Sequence, residues 1–529
     1  MTVNRYRRLP VGIQSFKVIR EENYLYVDKS DIVWNMVNLG DKYNYLSRPR
    51  RFGKSVLVDT LEAYLEGRKD LFEGLKIMQM EKDWKHYPVI RLDMSRGGAS
   101  EGTLRSYLNL RFKDYEEKYN ITPDSTAMLA DRFHAIIATA YKQTGLRVAV
   151  LIDEYDSPLQ HSWRTPEHEK CTGVYREVFA ILKADDEYEQ FIFITGITKF
   201  TQISLFSVLN NLSNISFTPE YAAICGITEE EMKENFMPEI KKMSEANNWS
   251  VEETHDRLKA YYDGYHFCRH NMVDVYNPYS LVNALNSKEI INFWASSGAT
   301  SLLPKFVDNA ELRMKNFENC RIMRNTLEMS DVTGGGAELF LYQSGYLTIK
   351  DSDEFGYILG FPNEEVKQAL YEMVLPALTM RERSDIQSIQ ANLYAQLGMG
   401  QIDDAMRSLK ALIADVPYSN KKLASMDMEE RYRLIISTIL NAIGLSVEVE
   451  KMISTGRIDM TVKTSRYIYV IELKLRNNGG KDAATEQILN RQYMEPFKAD
   501  KRKVIGLGIE LDEEGKGLLD WTRVESFSE

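Results

Sequence analysis

The sequence predicts two α/β modules joined by a mostly helical middle. Short apolar runs alternate with helix-length segments over residues 1–215, and the same alternation returns from residue 426 onward. Between them strand signals fade, and stretches such as Glu229–Ala246 and Val251–Tyr262 have helical periodicity. A globular composition, 44% hydrophobic and 27% charged over 529 residues, supplies core material for about three domains.

In the first module the expected strands are Tyr43–Ser47, Val89–Met94, Val148–Ile152 and Phe191–Thr195, with Leu212–Phe217 as a fifth candidate. They are apolar on both sides rather than alternating, so they read as a parallel sheet covered on both faces, a doubly wound α/β domain. This module is assigned residues 1–218. A helical lid is expected over 219–330, broken at Tyr261-Tyr-Asp-Gly-Tyr-His-Phe267. The Gly334-Gly-Gly336 run marks a loop. Residues 331–425 read as a mostly helical connector with a helical hairpin at Asp385–Ala414.

The last module, 426–529, reads α-β-β-β-α-β. Helix Met426–Ile443 carries Leu434, Ile435, Ile439, Leu440 and Ile443 at helical spacing and ends at Gly444. Strands Ser446–Met452, Ile458–Val462 and Tyr467–Leu475 follow, then helix Asp482–Phe497 and strand Lys503–Leu507.

Several classes are excluded by composition. No apolar run reaches the roughly 18 residues of a membrane helix. The basic start, Met1-Thr-Val-Asn-Arg-Tyr-Arg-Arg-Leu-Pro10, is not followed by the apolar stretch of a secretory signal. A cytoplasmic protein with no membrane partner is expected. Cys171, Cys225, Cys268 and Cys320 are far apart, which argues against a zinc site or a disulfide framework. The net charge of −11 argues against a broad basic surface for coating nucleic acid. Any such contact is expected to be weak, gated or short in footprint.

The first chemical signal is Tyr43-Asn-Tyr-Leu-Ser-Arg-Pro-Arg-Arg-Phe-Gly-Lys-Ser55, a strand running through a loop into a helix. Backbone N–H groups at a helix N-terminus bind phosphate oxygens. Gly53 opens the helix, Lys54 would reach the terminal phosphates, and the Ser55 hydroxyl would hold Mg²⁺. The first glycine of the standard phosphate loop would fall at Arg48 and is missing. Arg48, Arg50 and Arg51 either compensate with positive charge or mark a degenerate loop.

The second signal is Val148-Ala-Val-Leu-Ile-Asp-Glu154, a buried strand ending in two carboxylates. Ligands bind at the carboxyl ends of strands in such sheets. Asp153 there would hold Mg²⁺ and Glu154 would polarise the attacking water. After the strand Phe191–Thr195, Thr195 or Thr198 would contact the γ-phosphate side, or simply cap the strand end. Thr198 is taken forward as the candidate.

These segments, with Ile152-Asp-Glu-Tyr-Asp-Ser-Pro158, Thr195-Gly-Ile-Thr-Lys-Phe200, Tyr262-Asp-Gly-Tyr-His266 and Tyr276-Asn-Pro-Tyr279, resemble the AAA-ATPase-like family common in Bacteroidetes and clostridia. The resemblance covers nearly the whole chain and makes the arginine-rich loop a family habit. It implies ATP as cofactor and a nuclease at the C-terminal end.

In the last module, Asp459 lies on one strand, and Glu472 and Lys474 lie two residues apart on the next. Residues i and i+2 share a strand face. Charges at the end of an otherwise apolar strand are costly to bury unless paired or metal-bound. Asp459 and Glu472 would form a hard oxygen site for Mg²⁺ or Mn²⁺, helped by the Leu473 carbonyl. Lys474 would position or deprotonate the attacking water. Adding the preceding Glu429-Glu430 helix, Gln487 on the following helix and Tyr493 gives a set similar to the PD-(D/E)XK nuclease superfamily. That resemblance implies that a helical Glu and Gln complete the site. Glu430 fits the family spacing better, with Glu429 left open. Lys498, Lys501, Arg502 and Lys503 are either a solvated face or a phosphate rail.

The leading expectation is therefore an ATP-controlled, Mg²⁺- or Mn²⁺-dependent nuclease acting on nucleic acid, DNA before RNA. A role against foreign DNA rests on analogy alone. The alternative is a nucleotide-sensing switch or scaffold whose nuclease-like domain binds nucleic acid or a partner protein without cleaving. Self-association is allowed by the sequence but not specified by it.

Overall fold

A computed structural model describes residues 7–122, 126–199, 212–269, 273–296, 317–329, 336–379, 383–414 and 427–525. The described residues up to Asn363 form one compact unit and those from Glu364 onward a second. The division falls inside the segment expected to be a connector.

The first unit is built on five parallel strands: β1 (Tyr43–Ser47), β2 (Val89–Asp93), β3 (Val148–Asp153), β4 (Glu189–Gly196) and β5 (Ser213–Asn214), in the order β2-β3-β4-β1-β5. Every residue of β3 is buried, as continuous apolar strands in a covered parallel sheet should be. Strand β4 separates the loop strand β1 from the acidic strand β3. Ser47 pairs with Gly196, and Asp93 pairs with Asp153, so the strand ends carrying the motifs lie along one edge. The fifth strand is shorter than expected. The Asn214 side chain accepts from Ser216 N and turns Ile215–Phe217 into a 3₁₀ turn, the usual way such side chains compete with a ladder.

Helices follow in the lid region. Glu229–Asn247 starts with a capping box, Thr228 and Glu231 each bonding the other's backbone N–H, and Val251–Tyr262 is capped by Ser250. Their apolar faces, with Met232, Phe236, Ile240, Leu258 and Tyr262, share one core with Leu281 and Leu285. The helix Pro278–Ser287 is opened by Asn277, whose side chain accepts from Tyr279 N and Ser280 N. Strands β6 (Ile227–Thr228) and β7 (Val275–Tyr276) form an antiparallel pair. An antiparallel sheet, β8 (Cys320–Met323), β9 (Thr348–Asp353) and β10 (Gly356–Gly360), lies where mostly helix was expected. Gly334 and Gly335 lie outside the described residues, and Gly336 begins a helix to Ser344.

The second unit holds the helical hairpin Arg383–Met399 and Ile402–Ile413, the helix Met428–Ala442 and a five-stranded mixed sheet. The strands β11 (Ser446–Ile453), β12 (Gly456–Lys463), β13 (Tyr467–Leu475), β14 (Lys503–Leu511) and β15 (Leu518–Glu525) lie in sequence order. Strand β14 runs parallel to β13, which requires a crossover, supplied by helix Gly480–Asn490. That helix ends seven residues earlier than expected, and Tyr493 sits in the turn beyond it. Strand β15 was not foreseen. It is an antiparallel edge strand, and its polar residues leave little apolar signal. Ile435, Ile439 and Leu440 of helix Met428–Ala442 are buried in one core with Val462, Tyr469, Ile471, Leu507 and Ile509.

Candidate functional site

The first site is a cavity of about 520 Å³ in the first unit. Its size suits a nucleotide. Arg50, Arg51, Gly53, Lys54, Ser55 and Glu154 line it, as do Tyr279 of the Tyr276-Asn-Pro-Tyr279 segment and, from outside the motifs, Lys29 and Cys225. The loop places Arg51 at φ +69 and Gly53 at φ +85, the left-handed region where glycine is at ease and arginine is strained. Gly53 is the N-cap of helix Lys54–Leu65, whose free N–H groups open toward the loop. Arg51 lies over the Tyr279 ring at 4.8 Å.

Lys54 is buried, and its Nζ donates to the carbonyls of Arg48 and Pro49 at 2.9 Å each. Burial lowers its pKa, opposed by Glu154, Asp153 and Asp156. Burial raises Asp153, opposed by a hydrogen bond from Ser55, so the hydroxyl and carboxylate expected to hold Mg²⁺ stand side by side. Glu154 is also raised by burial and sits at φ +46. A carboxylate held in that strained backbone at a cavity wall is a common mark of function. The fit to a magnesium nucleotide is good: several cations and a helix N-terminus, with Ser55 at the cavity wall and Asp153, which does not itself line the cavity, bonded to its hydroxyl.

Two sequence candidates are corrected. Arg48 does not line the cavity. It is buried, and its guanidinium donates to the carbonyls of Ser47, Ser216 and Tyr221 at 2.9 Å and lies 4.1 Å from the Phe267 ring centre. Its donors tie the loop to the 216–221 segment instead of facing a phosphate. Thr198 is likewise buried. Its hydroxyl and N–H both donate to Asp156 Oδ2, and its hydroxyl accepts from Gln160 Nε2. Thr195 donates to the Leu46 carbonyl, the strand-end alternative. Asp156 Oδ2 accepts from Thr198, Ile197 N and Gln160 Nε2, and a Cβ on Gly196 would collide with its carboxylate. The sequence motif contains Asp156, but nothing in its spacing separates it from its acidic neighbours.

The second site lies on β12 and β13. Glu472 is 1% exposed and Asp459 9%. The acids are linked through the backbone: Leu473 N donates to Asp459 Oδ2 at 2.9 Å, and Asp459 N donates to Glu472 Oε2 at 3.4 Å. Gln487 Nε2 donates to Glu472 Oε1 and lies 3.3 Å from Tyr493 Oη. Burial, then repulsion from Asp459, pushes Glu472 up to about 8. Two adjacent buried carboxyl groups, one pushed toward its neutral form, are a donor set that a hard divalent ion would relieve, with water completing its shell. Asp459, Glu472 and the Leu473 carbonyl would hold it.

Lys474 Nζ stands 3.8 Å from Glu429 Oε2. Glu429 Oε1 accepts from Leu475 N and Asn478 Nδ2 at 3.2 Å each. Glu430 is exposed, with its N–H bonded to the Asp427 cap. This corrects the choice of Glu430 as a metal-site acid. Successive helix residues point about 100° apart, so only one of the two acids can face the sheet. Arg433, one turn beyond Glu429, reaches Asp459 and was missed. The i, i+4 spacing from Glu429 was the available signal.

A phosphate-loop domain followed by a mixed-sheet domain with an Asp…Glu-x-Lys constellation defines the class. Residues 10–206 match the family model described as Predicted AAA-ATPase, and residues 427–521 match the PD-(D/E)XK nuclease superfamily. A relative from Azotobacter chroococcum mcd 1, described as "Uncharacterized protein in vnfD 5'region", is 31% identical over 543 residues, covering 98% of this chain and 99% of the relative. The chain belongs to the AAA-ATPase-like family and carries a PD-(D/E)XK nuclease superfamily domain at its C-terminal end. Among the described residues no helix is long and apolar enough to cross a membrane.

Proposed function

We propose that this protein is a nucleotide-controlled, metal-dependent nuclease that cleaves phosphodiester bonds in nucleic acid, DNA before RNA. The observation that carries it is the buried acid pair Asp459–Glu472, with Lys474 on the same strand and Gln487 holding Glu472. When bound there, Mg²⁺ or Mn²⁺ supplies Lewis acidity and lowers the pKa of water. The chain's own residues do the rest. Gln487 fixes the orientation of Glu472. Leu473 N fixes Asp459. Glu429 holds the Lys474 ammonium beside the strand, where it positions the attacking water and offsets developing charge on the phosphate. In the first unit, Lys54, Arg50, Arg51 and the helix N-terminus would bind the ATP phosphates. Ser55 and Asp153 would hold Mg²⁺, and Glu154 would orient water for hydrolysis.

The test is nicking of supercoiled plasmid with Mn²⁺, with and without ATP. Wild type should nick, and Lys474→Ala should lose nicking while retaining DNA binding. Nicking that survives in Lys474→Ala would overturn the assignment. A second reading, a nucleotide-sensing switch that binds without cleaving, is favoured by one observation. All four oxygens of the acid pair already accept from donors of the chain. DNA binding without metal-dependent cleavage by wild type would support that reading. Control by nucleotide requires reciprocity: DNA must change ATP affinity by the factor by which ATP changes DNA affinity, commonly about 5–150-fold. Titrations with Glu472→Ala and a non-hydrolysable analogue measure both.

A further inference from the structure

The acid pair of the second site comes with a cation of its own. Arg433 projects from helix Met428–Ala442, and its side chain is 14% exposed. Its Nη1 donates to Asp459 Oδ1 at 3.1 Å, and its Nη2 lies 3.1 Å from Glu450 Oε1. Glu450 lies across the ladder from Asp459, between the pairs Val449↔Met460 and Lys451↔Ile458. Its backbone is at φ +53, a strained conformation for a residue inside a strand. Glu450 Oε1 also lies 3.1 Å from Arg457 Nη1, so it serves two guanidinium groups.

Asp459 Oδ2 is taken by Leu473 N, and both Glu472 oxygens are taken by Gln487 and by Asp459 N. Asp459 Oδ1 is therefore the oxygen through which a metal ion would meet the guanidinium. Two cations a few ångströms apart repel strongly in a partly buried site.

We propose that Arg433 is the resident counter-cation of the acid pair, and that binding of a divalent ion shifts it from Asp459 onto Glu450. Metal loading is then an exchange of cations rather than the filling of a bare acidic hole. Arg433 keeps the two carboxylates compatible in the metal-free protein and sets how tightly the ion is held. Glu450 is the acceptor that retains the displaced guanidinium, which gives its strained backbone a purpose. This inference rests on reading Asp459 and Glu472 as the ion's ligands.

The test is Mn²⁺ binding to the full-length, nucleotide-free chain, followed by the loss of the free-ion electron paramagnetic resonance signal. Arg433→Gln should bind Mn²⁺ on the order of tenfold more tightly, because the competing charge is gone. Arg433→Lys, which keeps a cation, should stay near wild type. Glu450→Gln should bind severalfold more weakly, since the displaced guanidinium loses its acceptor. Thermal unfolding in chelator should show Arg433→Gln below wild type, with the loss recovered on adding Mn²⁺. If Arg433→Gln fails to fold, Glu450→Gln decides, and affinity equal to or above wild type overturns the proposal. Asp459→Asn separates the two levels. Unchanged Mn²⁺ binding in Asp459→Asn would reject the metal-site reading itself. Binding lost in Asp459→Asn but not tightened in Arg433→Gln would reject the counter-cation alone.

Discussion

Replacing Glu472 with glutamine should make the metal-free protein more stable at alkaline pH and leave it nearly unchanged in acid. Burial and the neighbouring Asp459 carboxylate raise Glu472 from an ordinary 4.5 to about 8, against smaller opposing effects of the Asp459 N–H hydrogen bond and of Lys474. Between those values the unfolded chain has released a proton that the folded chain keeps. The stability associated with this group is thus complete below pH 4.5 and is lost as pH rises to about 8. At about 1.4 kcal/mol per pH unit, the full window is worth at most about 5 kcal/mol. Glutamine does not titrate and escapes the loss.

The assay is hydrogen exchange of β12 and β13 peptides in the full chain with chelator, comparing variant and wild type at pH 5 and pH 8.5. The variant's advantage should grow by about 2 kcal/mol or more between the two. At the higher pH, Mn²⁺ at a hundredfold excess over its Kd should return about 3 kcal/mol to wild type and little to the variant. An advantage that is the same at both pH values would refute the reasoning, since it would show that Glu472 does not titrate in this window.

Other outcomes follow from the same geometry. Lys54→Ala should lose most ATP affinity by calorimetry, because it removes a charge-assisted phosphate contact, whereas Glu154→Gln should keep binding and slow hydrolysis in a phosphate-release assay. Arg48→Met should cost about 3 kcal/mol in denaturant unfolding, by leaving the carbonyls of Ser47, Ser216 and Tyr221 without their donor, while Arg50→Ala should leave stability within about 1 kcal/mol and weaken ATP binding instead. Glu429→Gln should impair plasmid nicking more than tenfold, and Glu430→Gln should not, as judged from initial rates at saturating Mn²⁺.

The sequence made legible what depends on patterns along the chain. Continuous apolar strands such as Val148–Asp153 declare a covered parallel sheet, and the Gly53-Lys54-Ser55 junction declares a helix N-terminus at its edge. Glu472 and Lys474 declare themselves because charge follows five uncharged, largely apolar residues. What stayed hidden depends on direction. Arg48 stands among three loop arginines, and only the folded chain shows that its donors meet carbonyls contributed from residues 216 and 221. Glu429 and Glu430 differ by one helical step, a difference set by how the helix is rotated against the sheet. Strands β8 to β10 and β15 are short or half-polar, and their pairing partners, more than their own residues, make them strands.

The burial of Arg48 bears on where this protein could be cut or grafted. The family match to the first domain stops at residue 206, yet two of the three carbonyls that hold Arg48 belong to Ser216 and Tyr221. Strand β5, which closes one edge of the sheet beside β1, also lies past that limit. A fragment ended at residue 206 would expose the β1 edge and leave a guanidinium at the root of the phosphate loop with one of its three acceptors. The span of the family model is thus shorter than the unit of folding. A recombination breakpoint or an expression boundary for this domain belongs beyond Tyr221.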